Sequence, residues 1–306
     1  MKQKIWKLKP SPDTQKIFEL KKSLGVSKKI CALLLDRGID TFEKAKTFFR
    51  PQLSMLHDPF LMKDMDKAVS RLIKAMTSKE QIRVYGDYDV DGTTSVSMMY
   101  LFLKSQNANC DYYIPDRDSE GYGISYKGID GAIDKGISLM ICLDCGIKAV
   151  EKVAYAKSKG LDLIICDHHR PGEHLPDAVA VLDPKRVDCT YPFKELCGCG
   201  VGFKLIQAYL KHQGLDETIA FQYLDLVAVA IGADIVPIVE ENRILAFYGL
   251  KHLNENPRIG MKALMREHKN FGAMNINNVV FTIAPRINAA GRMKHAHNAV
   301  SLLIEQ

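Results

Sequence analysis

Short apolar runs recur between residues 82 and 182, and three of them end directly in acids or histidines. IRVY (82–85) leads into GDYDVDG, SLMICL (138–143) into DCG and LDLIIC (161–166) into DHHRPG, while CDYYIP (110–115) and AVAVL (178–182) are further runs of the same kind. Strands of near-continuous apolar composition are buried on both faces, which requires a parallel sheet with helices on either side. The expected fold class is therefore α/β, a doubly wound, mainly parallel sheet. TTSVSMMYLFLKSQ after the first acidic run and residues 147–159 after the second read as helices. Further helices are expected at about 200–212, 217–231 and 241–253, with Asp234 in a loop. Residues 12–76 read as helical, with Gly25 and Gly38 as stops. The expected organisation is a basic helical region over 1–79, packing on a core domain over 80–306.

In open parallel sheets the carboxyl ends of the strands line one crevice. Asp87, Asp89 and Asp91, then Asp144, then Asp167, His168 and His169 should therefore converge in space. Crowded carboxylates retain protons unless cations neutralise them. A donor set of oxygens with a histidine or two suits manganese or magnesium better than zinc. Two such ions roughly 3.5–4 Å apart, sharing a carboxylate, would make a phosphoester-hydrolysing centre. Taken singly, D-x-D-x-D is also an Asx-rich turn or a calcium loop, and paired histidines are also surface residues. Three clusters at strand ends favour the metal. GCGVG (198–202) opens a helix but lacks the preceding strand of a dinucleotide fingerprint and the Lys-Ser/Thr of a Walker loop, so it reads as close backbone packing.

Composition narrows the class. With 306 residues, 47% hydrophobic and 25% charged, the chain is neither disordered nor collagenous nor a small disulfide scaffold. Several of its eight cysteines lie in apolar runs, as reduced buried thiols do. Cys142-x-x-Cys145 straddles a strand end and Cys197-x-Cys199 lacks a partner pair at ligand spacing, which argues against zinc. Residues 1–30 hold nine lysines against Asp13 and Glu19, a surplus of seven, so the remainder nets −1 of the total +6. Such a block is a steering patch for a polyanion or a solvated helix face. No apolar run of about 7 residues follows the basic start, so no secretion signal is expected. The most apolar stretch, 224–239, contains Asp225, Asp234 and Pro237 and is too short for a bilayer of about 30 Å. A cytoplasmic protein without membrane contact is expected. The closing NAVSLLIEQ reads as a helix cut off in mid-pattern, as in part of a longer protein.

Asp167-His168-His169 and its neighbours resemble the DHH phosphoesterase superfamily, and within it the RecJ-type single-strand-specific DNA exonucleases. The segments that carry the resemblance are VYGDYDVDGTTS, YYIPDRDSEGYGIS, CLDCGI, CDHHRPG with LPDAVAVLDPKR, GCGVGFKL, ADIVPIVEENR and APRINAAGRM, in the family's order. The resemblance implies metal-dependent hydrolysis of single-stranded DNA from the 5′ end, releasing 5′-mononucleotides in recombination and repair. It implies two Mn2+ or Mg2+ ions, one held by Asp91, Asp144, His168 and Asp234, the other by Asp89 and Asp87, with Asp144 bridging. Only the resemblance selects Asp234 over Asp225. It further assigns His169 to the phosphate, Asp167 to orienting its neighbours, and Arg286 and Asn288 to gripping the strand. Arg292 is a further basic residue of the same motif. Arg117 and Tyr122 would contact the strand at the mouth, where stacking on bases is sequence-tolerant. A helicase and a single-strand-binding protein are the implied partners. The family's further domain, with a glycine-rich motif, and its oligonucleotide-binding barrel find no match in this sequence, so the resemblance covers a catalytic DHH domain alone. Two other readings stand beside it, a DHH phosphoesterase of small substrates such as oligoribonucleotides or nucleoside bisphosphates, and a non-catalytic nucleic-acid-binding scaffold.

Overall fold

The structure is a computed structural model that describes residues 7–266, 272–293 and 296–305. Lys2 and Lys4 of the basic block and the side chain of Arg292 lie outside the described residues. The chain divides into two compact units, Met1–Met55 and Leu56–Gln306. In the first, α1 (Thr14–Leu24), α2 (Lys28–Leu35) and α3 (Phe42–Phe49) are capped by Asp13, Ser27 and Thr41, and α1 ends on left-handed Gly25. Their apolar faces meet at Leu20, Cys31, Leu34, Ile39 and Ala45.

The second unit opens with α4 (Met65–Thr77) and builds a five-stranded sheet from β1 (Ile82–Gly86), β2 (Cys110–Tyr113), β3 (Leu139–Leu143), β4 (Asp162–Cys166) and β5 (Ala180–Leu182). Every pairing is parallel and the order is β2-β1-β3-β4-β5. The chain leaves β1 in one direction to form β2 and returns to β1's other side to form β3, so the topological switch point lies between β1 and β3. The helices between strands are α5 (Val90–Ser105), α6 (Tyr126–Ile133) and α7 (Val150–Ser158). Tyr85, Met140, Cys142, Leu163 and Ile165 face α6 and α7, and the alternate residues face the opposite layer. That layer is α4 and α5 with α8 (Gly198–His212) and α9 (Leu224–Ala233). The remaining helices are α10 (Glu240–Glu255), α11 (Ile259–Arg266), α12 (Ile276–Asn278), α13 (Ala284–Met293) and α14 (His297–Ile304), with a π turn over Val279–Ile283 joining α12 to α13.

The parallel, doubly covered sheet matches the expectation drawn from the apolar runs, and three local readings are corrected. The first helix after β1 begins at Val90, capped by Asp89, which puts Asp91 inside its first turn. Residues 217–231 are a 3-10 turn over Glu217–Tyr223 followed by α9. Residues 126–133, to which the sequence reading assigns no element, form α6. A Cβ on Gly128 would lie 2.7 Å from the Tyr85 ring, so glycine there lets the helix press onto β1. Among the described residues no helix is long and apolar enough to cross a membrane.

Candidate metal centre

The strand ends hold their acids at one level because the ladder continues one residue beyond β3 and β4. Asp144 donates its amide to the Cys166 carbonyl (2.8 Å) and Asp167 to the Leu182 carbonyl (2.9 Å). Asp144 has φ 59, a left-handed conformation that aspartate tolerates better than most residues. α8 then brings its N-terminus over the sheet. A Cβ on Gly198 would fall 2.5 Å from the Asp144 Cβ, so only glycine admits this approach. The amides of Gly198 and Cys199 donate to Asp91 at 2.7 and 2.8 Å. GCGVG therefore gives its helix N-terminus to a carboxylate of the protein. Gly92 is needed for the same kind of reason, since a Cβ there would lie 2.3 Å from the Asp87 carbonyl oxygen.

His168 stands at the centre. Its Nε2 lies 3.2 Å from Asp144 Oδ1, 3.6 Å from Asp234 Oδ2 and 3.8 Å from Asp91 Oδ2. Burial, and then the neighbouring charge of His169, lowers its pKa to about 4, so the imidazole is neutral. The carboxylates move the other way. Burial and then Asp89 raise Asp87 to about 7 and Asp234 to about 6. Burial raises Asp91 and Asp144 as well, reinforced by Asp234 and Asp89 at the first and by Asp91 and Asp89 at the second. Asp144 Oδ1 and His168 Nε2 are buried without a hydrogen-bond partner among the described residues. Among the described residues no lysine or arginine lies within ion-pair distance of Asp87, Asp91, Asp144 or Asp234. Carboxylate oxygens and a neutral imidazole, orphaned in this way, form a donor set that fits a hard divalent cation. Asp91, His168 and Asp234 form one candidate ligand group and Asp144, His168 and His169 another, with donor atoms within 4.8 Å of one another in each.

Residues 81–231 match the model of the DHH family, N-terminal domain. The chain is 43% identical over 296 residues to the single-stranded-DNA-specific exonuclease RecJ of Bacillus subtilis (strain 168), which covers 96% of this chain and 37% of that protein. This chain belongs to the DHH family. Its fold superposes with a TM-score of 0.81 and 28% identity on the crystal structure of RecJ from Thermus thermophilus in complex with Mn2+, over 97% of this chain and 42% of that one. The Mg2+ complex from the same organism gives 0.71 and 26%, over 97% and 39%. The DHH-family chain thus spans about two-fifths of the length of these relatives.

The three residues for which the DHH family is named divide their work. Asp167 is buried, yet its pKa is lowered. Burial pushes it up, but the His169 side chain and the amides of Ile147 and His169 more than offset that. Oδ1 accepts from the His168 and His169 amides (2.7 and 3.1 Å) and from His169 Nδ1 (2.8 Å), and Oδ2 from the Ile147 amide (2.9 Å). With its lone pairs so occupied, Asp167 orients the pair beside it. The same hydrogen bond raises the His169 pKa and favours the imidazolium. His169 is half-buried, and its Nε2 lies 3.3 Å from the Tyr122 hydroxyl.

Aromatic side chains of the DHH-family chain make a rim beyond His169. Tyr122, 52% exposed, packs edge-on against His169 and Tyr88, and the exposed Arg117 guanidinium lies 5.3 Å from the Tyr88 ring centre. Arg286 lies on α13 and donates to the Leu264 carbonyl (2.6 Å). Asn288 is half-buried on the same helix, which comes close enough to the D-x-D-x-D loop that a Cβ on Gly291 would lie 3.0 Å from the Tyr88 carbonyl oxygen. Asp225, the other acid of the α9 region, is tied to Arg258 at 2.7 Å.

Sequence reasoning missed two residues of this region. Tyr88 sits inside GDYDVDG, where only the acids drew notice. Asp183 follows β5 directly, is fully buried, and leaves Oδ2 without a hydrogen-bond partner. Burial raises its pKa to about 7. The rule applied to the other strand ends would have found it, because AVAVL also ends in an acid.

Proposed function

We propose that this chain carries the catalytic region of a metal-dependent, single-strand-specific 5′-to-3′ DNA exonuclease that releases 5′-mononucleotides in recombination and repair in the cytoplasm. The observation that carries the reading is the neutral His168 imidazole, with Nε2 3.2–3.8 Å from three carboxylates, two of them buried, that no protein cation pairs with among the described residues. Support comes also from the RecJ relatives, exonucleases specific for single-stranded DNA, two of whose structures hold Mn2+ or Mg2+.

Asp91, Asp144, His168 and Asp234 would hold one Mn2+ or Mg2+ ion, and Asp144 with Asp89 and Asp87 a second. Such a pair, when bound, activates water and neutralises the attacked phosphate. Gly198 and Cys199 hold Asp91 in place through their amides. Asp167 holds the His169 imidazolium, whose proton binds a phosphate oxygen and stabilises charge developing there. Tyr122 and Arg117 meet the strand at the mouth, and Arg286 and Asn288 meet its phosphates. A helicase would supply the single strand and a single-strand-binding protein would present it. The test is incubation with Mn2+ and a 3′-labelled, 5′-phosphorylated single strand or its duplex, with Asp144→Asn as control. Stepwise shortening from the 5′ end of the single strand alone is expected; equal cutting of both, or cutting by Asp144→Asn, would overturn the reading.

A further inference from the structure

A second cavity borders the candidate metal centre and shares two of its rim residues. It has a volume of about 200 Å³ and is lined by Tyr122, His169 and the buried Asp167. Lys148 and Lys152 line it as well, together with Gly146 and Ile147. Lys148 lies in the turn before α7 and Lys152 in its first turn, so both ammonium groups sit at the helix N-terminus, where the helix dipole disfavours cations. Neither ammonium has an ion pair or hydrogen bond among the described residues. Lys152 is half-buried, so its charge is also partly withdrawn from water. Asp167 pairs with neither lysine among the described residues; its oxygens accept from His169 and three amides. The α7 N-terminus at the same cavity has no side-chain cap. The rest of the lining is apolar or backbone, at Gly123, Ile124 and Ala149.

We propose that this cavity is a subsite for a nucleoside 5′-monophosphate, its phosphate held between Lys148, Lys152 and His169 and its nucleoside against Tyr122 and the apolar wall. The proposal rests on the exonuclease reading for its ligand, which is the product released beside His169. Two unpaired cations at a helix N-terminus favour an anion beside them, and a phosphate monoester supplies that anion with oxygens to spare. The apolar remainder of the cavity suits the sugar and base and gives inorganic phosphate nothing further.

The test is calorimetric titration of the metal-free chain with thymidine 5′-monophosphate, with thymidine and with inorganic phosphate. The same titrations are made on Lys148→Gln/Lys152→Gln and on Asp144→Asn. Thymidine 5′-monophosphate should bind more tightly than either fragment, and the double variant should bind it about tenfold or more weakly, as loss of charge-assisted hydrogen bonds requires. The Asp144→Asn chain should still bind it, since Asp144 does not line the cavity. Equal affinity in the double variant, no binding by the parent chain, or phosphate binding as tightly as the nucleotide would overturn the subsite. If the chain degrades single strands yet shows no lysine-dependent nucleotide binding, the subsite fails and the exonuclease reading stands. If it binds the nucleotide through the lysines but cleaves no strand, the exonuclease reading fails and the nucleotide site stands.

Discussion

Two buried polar regions of the sheet-bearing unit are equally withdrawn from water and are completed in opposite ways. Lys204 on α8 and Glu241 on α10 are 0% and 1% exposed and pair at 2.7 Å. Glu241 also accepts from the Tyr191 hydroxyl (2.6 Å) and the His57 amide (2.9 Å), and Lys204 donates to the His57 carbonyl (3.1 Å). At the strand ends Asp87, Asp144 and His168 are 1%, 2% and 5% exposed, and atoms of Asp144 and His168 find no hydrogen-bond partner among the described residues. A buried charge without a partner is costly. The first region meets that cost internally, whereas the second leaves it to be met by a ligand. Burial alone therefore does not separate structural from functional polar groups; several unpaired carboxylates gathered around one neutral imidazole do.

Removing one ionisable acid from each region should act with opposite sign. Glu241→Gln strands the Lys204 ammonium and should destabilise the chain by about 3–5 kcal/mol in urea unfolding. Burial holds Asp144 protonated in the metal-free fold, so Asp144→Asn relieves the cost of that protonation and should stabilise the metal-free chain by about 1–3 kcal/mol. Asparagine also tolerates the left-handed backbone at that position. In Asp144→Asn the rise in melting temperature on adding Mn2+, and strand hydrolysis, should both be lost. If the two substitutions shift unfolding in the same direction, the contrast between the regions does not hold.

The pH dependence sharpens the same contrast. Asp87 and Asp234 titrate at about 7 and about 6 in the fold, above their ordinary 3.8. Between about pH 4 and pH 7 the folded chain keeps protons that the unfolded chain releases, so these two groups make the metal-free chain less stable as pH rises. Divalent cations need the ionised forms. The Mn2+-induced rise in melting temperature should accordingly be larger at pH 8 than at pH 6, and equal shifts at the two values would count against ionisable ligands. The smallest effect is expected at the rim. Arg117→Ala removes a cation–aromatic contact worth about 0.5–1 kcal/mol, and should raise KM for a single strand while leaving the Mn2+-induced melting shift unchanged.

The sheet and most of the candidate site are legible along the chain because both follow short-range rules. An apolar run of strand length marks a buried strand wherever it lies, and the residue after a parallel strand always faces the same crevice. Asp87, Asp91, Asp144, Asp167 and His168 could be placed in this way, and Asp183 obeyed the same rule unnoticed. Other features had no local mark. α6 is interrupted by glycines whose purpose, the approach to Tyr85, is visible only in three dimensions.

What the sequence by itself determined is the parallel order of strands and helices and the acids and histidines that end the strands, since a periodicity of two or of 3.6 and a strand terminus are properties of neighbouring residues. No local pattern separates Asp234 from Asp225, and the tertiary structure sets Asp234 beside His168, ties Asp225 to Arg258 and gives the GCGVG amides to Asp91. It alone set Arg117, Tyr88, Tyr122 and His169 in one contiguous rim. Each of these depends on how α8, α9 and the loop before α6 return to the sheet, a matter of packing between segments tens of residues apart that no local pattern encodes.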